Sequence, residues 1–98
     1  MARQPEGRLV GKILDFLRAN YPGWWEKIHG SVFQSRGVPD IIGCYRGRFI
    51  SIEAKMPGEQ PTALQKDNGQ MIKEAKGIWI VAYSVKDVRH TMERYFKR

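Results

Sequence analysis

The chain has 98 residues, 42% of them hydrophobic, and its 17 lysines and arginines against 10 acidic residues give a net charge of +7. This composition predicts one folded domain over residues 1–98 and argues against a wholly disordered basic tail. No apolar run approaches the roughly 18 residues of a membrane span, and one cysteine with two separated histidines gives neither a disulfide nor a zinc-site spacing. We therefore expect a soluble cytoplasmic protein without a membrane partner, and the charge favours a polyanionic partner such as nucleic acid.

The hydrophobic pattern predicts seven elements in the order αβββαβα. Apolar residues that recur every three to four positions mark the helices, and short β-branched and aromatic runs mark the strands. The last two helices each begin with a hydroxyl residue that has a capping partner three positions later. The expected elements are, in chain order, a helix at Glu6–Asn20, strands at Trp24–His29, Asp40–Tyr45 and Arg48–Lys55, a helix at Thr62–Lys76, a strand at Ile78–Tyr83 and a helix opened by Ser84.

Two further expectations concern the way these elements end and pack. Gly77 follows the second helix and is expected to cap it in the left-handed conformation. The nearly continuous apolar run Ile78–Tyr83 is typical of a strand covered on both faces, so we expect it in the centre of the sheet. The fold class is therefore α/β, with a mixed sheet of about four strands flanked by helices.

The two strands around Arg46-Gly47 place two acids opposite each other. If these two residues form the hairpin turn, counting outward from them pairs Asp40 with Glu53. Their Cβ atoms then lie about 5 Å apart, so the two negative charges repel each other. Lys55 lies on the same face of its strand because side chains alternate. A hard cation such as Mg²⁺ between the acids would offset the repulsion and would suit phosphodiester hydrolysis. The plain alternative is a turn acid, a solvated strand acid and a surface lysine.

Other charged and polar residues are candidates for contacts around this triplet. Glu6, at the start of the first helix, is a candidate third acid, although its placement depends on the tertiary fold. Basic residues near the predicted site are candidates for contact with a phosphate backbone. A serine in the loop before the motif is a candidate for contact with the scissile phosphate. Each of these residues is, taken alone, more typical of a solvated surface. They are Arg3, Arg8, Ser35, Arg36 and Lys66.

The order of the motif residues resembles a known nuclease signature. Gly37-Val38-Pro39-Asp40, twelve intervening residues and then Glu53-Ala54-Lys55 resemble the PD-(D/E)XK motif of many restriction enzymes and archaeal-type Holliday junction resolvases. With Gln65 near the start of the following helix, the chain is most similar to the VRR-NUC family, which includes small stand-alone phage and bacterial proteins.

This resemblance implies a restriction-endonuclease-like fold and a set of site residues. It implies that Glu6, Asp40, Glu53 and the carbonyl of Ala54 bind the metal, which is Mg²⁺ with Mn²⁺ as a substitute, and that no small-molecule cofactor is needed. By the same resemblance the catalytic residues are Asp40, Glu53, Lys55 and Gln65. For Gln65 the alternative is a plain helix-capping role.

The activity that the resemblance implies is structure-selective cleavage of branched DNA, above all of four-way (Holliday) junctions in recombination and repair. We expect a homodimer, because a junction is resolved by paired cuts and one small domain supplies one site. The last helix and the Trp24-Trp25 strand are the expected dimer seam. Two alternatives stay open, namely a flap or single-strand-end nuclease and a non-catalytic basic nucleic-acid-binding module that has no need of the acid–lysine triplet.

Overall fold

A computed structural model describes residues 5–29 and 36–97 of the chain. The predicted αβββαβα order is confirmed, and the element bounds differ from the expected ones by no more than two residues. In the described ranges no helix is long and apolar enough to cross a membrane. The elements are α1 (Pro5–Asn20), β1 (Trp24–Lys27), β2 (Ile41–Tyr45), β3 (Arg48–Ala54), α2 (Ala63–Glu74), β4 (Ile78–Ala82) and α3 (Val85–Tyr95).

In this part of the chain the strands form one four-stranded mixed sheet in the order β1-β2-β3-β4. The β1–β2 and β2–β3 pairs are antiparallel, and the β3–β4 pair is parallel. β4 therefore lies at an edge, and the expectation that it is central is wrong. Its apolar sequence has another cause, since α2 and α3 both pack against it.

The hydrophobic core lies between one face of the sheet and the helices α1 and α3. Ile13 and Leu17 of α1 and Met92 of α3 are completely buried there, against Ile50 and Ile52 of β3. Helix α2 covers the opposite face, where Gly69 lies directly against the indole ring of Trp79. β3 is consequently the most buried strand, and every residue from Ile50 to Ala54 is buried.

The hairpin between β2 and β3 has the predicted two-residue turn. Arg46 and Gly47 both have positive φ angles, 51° and 79°, as the inner residues of a type I′ turn must. The ladder that grows from this turn pairs Ile41 with Ile52, which confirms the predicted register. An arginine occupies the first turn position although asparagine or aspartate is favoured there.

Helix α2 ends in a Schellman motif that begins one residue earlier than expected. Lys76 is the left-handed residue, with φ 72°, so the prediction for Gly77 is wrong. The peptide N–H of Gly77 donates to the carbonyl of Ile72 at 2.8 Å, and the N–H of Lys76 donates to the carbonyl of Lys73 at 3.0 Å, as this motif requires. The Arg48 guanidinium donates to the Lys76 carbonyl at 2.9 and 3.2 Å, and this tertiary contact holds the cap in place.

Candidate active site

The two predicted acids lie together at the N-terminal end of β2 and the C-terminal end of β3. Asp40 directly precedes β2, and its peptide N–H donates to the carbonyl of Ile52 at 3.1 Å. Ile52 is the ladder partner of Ile41, so Asp40 lies just beyond the regular pairing. The Oδ2 atom of Asp40 accepts a hydrogen bond from the N–H of Ala54 at 2.8 Å. These two bonds hold the Asp40 side chain against β3, beside Glu53.

Glu53 is a buried acid, with only 1% of its surface exposed. Its side chain lies within hydrogen-bond distance of the Asp40 carboxyl group, yet two ionised carboxylates have no proton to share. Its Oε2 atom is buried and meets no N–H or O–H donor in the described residues. Burial first, and then the charge of Asp40, raise the pKa of Glu53 to about 8, although Lys55 acts to lower it. Without a cation, Glu53 therefore retains its proton at neutral pH.

Lys55 lies just beyond the end of β3, two residues after Glu53. Its peptide N–H donates to the carbonyl of Ala82 at 2.9 Å, which extends the parallel pairing with β4 and fixes the backbone at this point. The side chain is buried, with 9% of the residue exposed. Its positive charge acts to lower the pKa of both Glu53 and Glu6.

Glu6, in the first turn of α1, lies at the rim of the same site. Burial, followed by the charges of Asp40 and Glu59, raises the pKa of Glu6, and Lys55 opposes this rise. In residues 5–29 and 36–97, no three His, Cys, Asp or Glu side chains are close enough together to hold a metal ion. The structure thus brings Asp40 and Glu53 into direct contact and leaves Glu6 nearby, so its role as a third ligand stays a prediction.

Gln65 makes the predicted capping contacts and a further contact with Glu53 that the sequence did not indicate. It forms the capping box of α2, in which its N–H donates to the Thr62 hydroxyl at 3.1 Å and its Oε1 accepts from the Thr62 N–H at 2.8 Å. The remaining atom of its amide, Nε2, donates to Oε1 of Glu53 at 3.1 Å. The capping role is therefore confirmed, and the same side chain holds one oxygen of the buried acid.

Two residues at the site had no recognisable signal in the sequence. Glu59, in the loop after β3, accepts the N–H of Met56 on its Oε1 atom at 2.7 Å, and its charge acts on Glu6. Asn68 lies three residues after Gln65 on α2 and donates to the carbonyl of Gly37 at 2.8 Å. Spacing alone could have placed Asn68 on the Gln65 face of the helix, whereas its partner depends on the tertiary fold.

The candidates for phosphate contact fall into two groups. Arg3 and Ser35 lie outside the described residues. Arg8, Arg36 and Lys66 are exposed. Arg36 directly precedes Gly37 in the loop that enters the site, and Lys66 directly follows Gln65, so both lie next in sequence to residues of the site. Their contact with DNA stays a prediction.

Comparison with solved structures supports the resemblance of the motif. A structure named "VRR_NUC domain protein" matches with a TM-score of 0.75 and 17% identity over 99% of this chain and 92% of that one. A second, named "VRR_NUC domain", matches with a TM-score of 0.73 and 24% identity over 96% of this chain and the whole of the other. No protein-family model and no curated protein matches the sequence. At these identities the likeness concerns the fold, and the chain has the fold of a VRR_NUC domain, as the motif predicted.

Proposed function

We propose that this protein is a metal-dependent DNA endonuclease that hydrolyses phosphodiester bonds at the Asp40–Glu53 site. The observation that carries this proposal is the buried Oε2 atom of Glu53, which meets no donor among residues 5–29 and 36–97 and lies beside a second carboxylate. A buried polar group without a partner costs on the order of 1–3 kcal/mol, and more when it is charged. A divalent cation between the acids removes this cost.

The donor atoms fit a hard cation. Asp40 and Glu53 offer carboxylate oxygens, and the resemblance adds the carbonyl of Ala54. Mg²⁺ prefers oxygen ligands and keeps several waters, so two carboxylates are enough to hold it, and Mn²⁺ accepts the same ligands. When bound, the ion supplies polarisation of a phosphoryl oxygen and a lowered pKa of a water ligand. The resemblance makes Glu6, at the rim, a candidate third ligand.

Lys55 and Gln65 complete the site with different roles. The buried Lys55 side chain, whose charge acts on Glu53 and Glu6, orients the attacking water and stabilises the negative charge that develops on the phosphate. The Gln65 amide holds Oε1 of Glu53, and Oε2 is the oxygen that would hold the cation. Gln65 is thus a positioning residue, because it acts through Glu53 and its capping bonds fix its own orientation.

The proposed substrate is branched DNA, in particular the four-way junction, cleaved by a homodimer. The net charge of +7 supports a polyanionic substrate. Much of the expected seam is used in the core, since Trp25, Val88 and Met92 are buried. Trp24 and Tyr95 remain, with 53% and 47% of their surfaces exposed, and these two aromatic residues support contact with a second copy.

A cleavage assay with a panel of labelled DNAs tests this proposal. The wild-type protein is incubated with Mg²⁺, with Mn²⁺ or with EDTA, and the DNAs are a four-way junction, 5′ and 3′ flaps, a single strand and a linear duplex. We expect metal-dependent, symmetric cuts on opposing strands of the junction, and twice 11.4 kDa by light scattering. Cleavage of flaps or ends alone by a monomer would overturn the junction and the dimer but not the nuclease. Binding without any cleavage would overturn the nuclease itself.

A further inference from the structure

Asn68 connects α2 to the loop that leads into the site. Its Nδ2 atom donates to the carbonyl of Gly37 at 2.8 Å and to the carbonyl of Arg36 at 3.3 Å. It lies one helical turn after Gln65, whose amide donates to Glu53. One face of α2 therefore donates hydrogen bonds to both segments that carry the acids.

The loop backbone is fitted closely to this face of α2. Gly37 has a φ angle of +78°, and a Cβ atom at this position would lie 2.8 Å from the carbonyl carbon of Leu64 and 2.9 Å from Nδ2 of Asn68. A side chain at position 37 would therefore both strain the backbone and clash with the helix. The glycine and the asparagine together form one contact, which holds the loop at a fixed distance from α2.

The tether from Gly37 to Asp40 is short and stiff. Only Val38 and Pro39 lie between them, the proline ring fixes its own φ angle, and the residue before a proline is restricted to extended conformations. Pro39 is buried, and Asp40 is bonded to the backbone of β3. Because few dihedral angles remain free, the position of Gly37 limits the position that the Asp40 carboxylate can take.

We propose that Asn68 is a positioning residue for the metal-binding acids, which sets the position of Asp40 relative to Glu53 through the Arg36-Gly37 carbonyls. This inference rests on the proposed function of the site. Gln65 holds Glu53 and Asn68 holds the approach to Asp40, so α2 fixes both acids from one rigid element.

The test compares Mn²⁺ binding by the DNA-free protein in four variants. Asn68→Ala removes the amide, Asn68→Asp keeps the shape without the donor, and Asn68→Gln restores a donor. Asp67→Ala, on the neighbouring exposed residue, is the matched control. Electron paramagnetic resonance measures free Mn²⁺ and so gives the dissociation constant. Junction cleavage gives kcat and the Mn²⁺ concentration at half the maximal rate. Unfolding in urea shows whether each variant is folded.

We expect the Mn²⁺ dissociation constant to rise about tenfold in Asn68→Ala and Asn68→Asp, as is typical when a residue that orients metal ligands is lost. In the same two variants the Mn²⁺ concentration at half the maximal cleavage rate should rise in parallel, and saturating Mn²⁺ should recover most of kcat. Asn68→Gln should regain part of the Mn²⁺ affinity. Wild-type Mn²⁺ affinity in a folded Asn68→Ala or Asn68→Asp protein would overturn the inference and leave the nuclease intact. A wild-type protein that neither binds Mn²⁺ nor cleaves DNA would overturn the proposed function as well.

Discussion

The substitution Glu53→Gln should stabilise the metal-free protein, and the gain should grow with pH. Burial and the charge of Asp40 raise the pKa of Glu53 to about 8 from an ordinary value of 4.5. Between these two pH values the folded protein holds a proton that the unfolded chain has released, so the free energy of unfolding falls as the pH rises. The stabilisation that Glu53 contributes is fully present at pH values below its pKa in the unfolded chain. It is lost as the pH rises through the pKa of Glu53 in the folded protein. The amide of glutamine does not titrate, so the free energy of unfolding of the variant lacks this fall over the same pH range.

The magnitude follows from the size of the shift. Each pKa unit corresponds to about 1.4 kcal/mol, so the difference in unfolding free energy between Glu53→Gln and the wild type should widen by about 3 kcal/mol from pH 5 to pH 8. Urea denaturation in EDTA at several pH values measures it, with Glu74→Gln, an exposed acid on α2, as the matched control. Millimolar Mg²⁺ should stabilise the wild type at pH 8 and should not stabilise Glu53→Gln. A difference that stays constant with pH would refute a raised pKa at Glu53.

Three further variants test separate parts of the structure. Lys55→Ala should lose cleavage by about a hundredfold or more yet keep its stabilisation by Mn²⁺, and normal cleavage would make Lys55 a bystander. Gln65→Ala should lose only part of the cleavage rate, and the loss of its capping bonds should cost about 0.5–1 kcal/mol of stability. A loss of stability with an unchanged cleavage rate would leave capping as the sole role of Gln65. Lys76→Gly should raise the free energy of unfolding by about 1 kcal/mol, because Lys76 has a left-handed φ. Lys73→Gly, inside α2, should lower the free energy of unfolding by a similar amount. If both glycine substitutions had the same effect, Lys76 would not be the left-handed cap residue.

The contact between the two acids could be predicted because a hairpin turn fixes register locally. Once Arg46 and Gly47 form the turn, the period of two along each strand leaves Asp40 opposite Glu53, and the ladder confirms the pairing of Ile41 with Ile52. The capping box of α2 was predictable for the same reason, since its two partners are three residues apart.

The position of β4 could not be predicted in the same way. An apolar run records that both faces of a strand are covered, and here α2 and α3 cover them, but it does not record which strands lie on either side. The burial of two polar residues in β3 was equally hard to predict. Ser51 and Glu53 are both buried; Ser51 donates to the carbonyl of Ile78 at 3.1 Å, and Glu53 accepts from Gln65 of α2. Parallel pairing and helix placement depend on contacts distant in sequence.

The contacts of Gln65 and Asn68 also depend on the tertiary structure. Their spacing places both side chains on one face of α2, yet only the packing of α2 on the sheet directs one to Glu53 and the other to Gly37. Lys55 is likewise buried, and nothing in its local sequence distinguishes it from a surface lysine. The residues that hold the acids in place were therefore harder to predict than the acids themselves.

The most direct test of the central claim is the cleavage of a labelled four-way junction by Asp40→Asn in the presence of Mn²⁺. The variant keeps the size of the side chain and removes one ligand charge from the Asp40–Glu53 pair. We predict loss of cleavage with junction binding that is unchanged or tighter, because one negative charge leaves the path of the phosphate backbone, while Asp67→Asn cleaves as the wild type does. Cleavage by Asp40→Asn at the wild-type rate would contradict a metal site at Asp40 and Glu53.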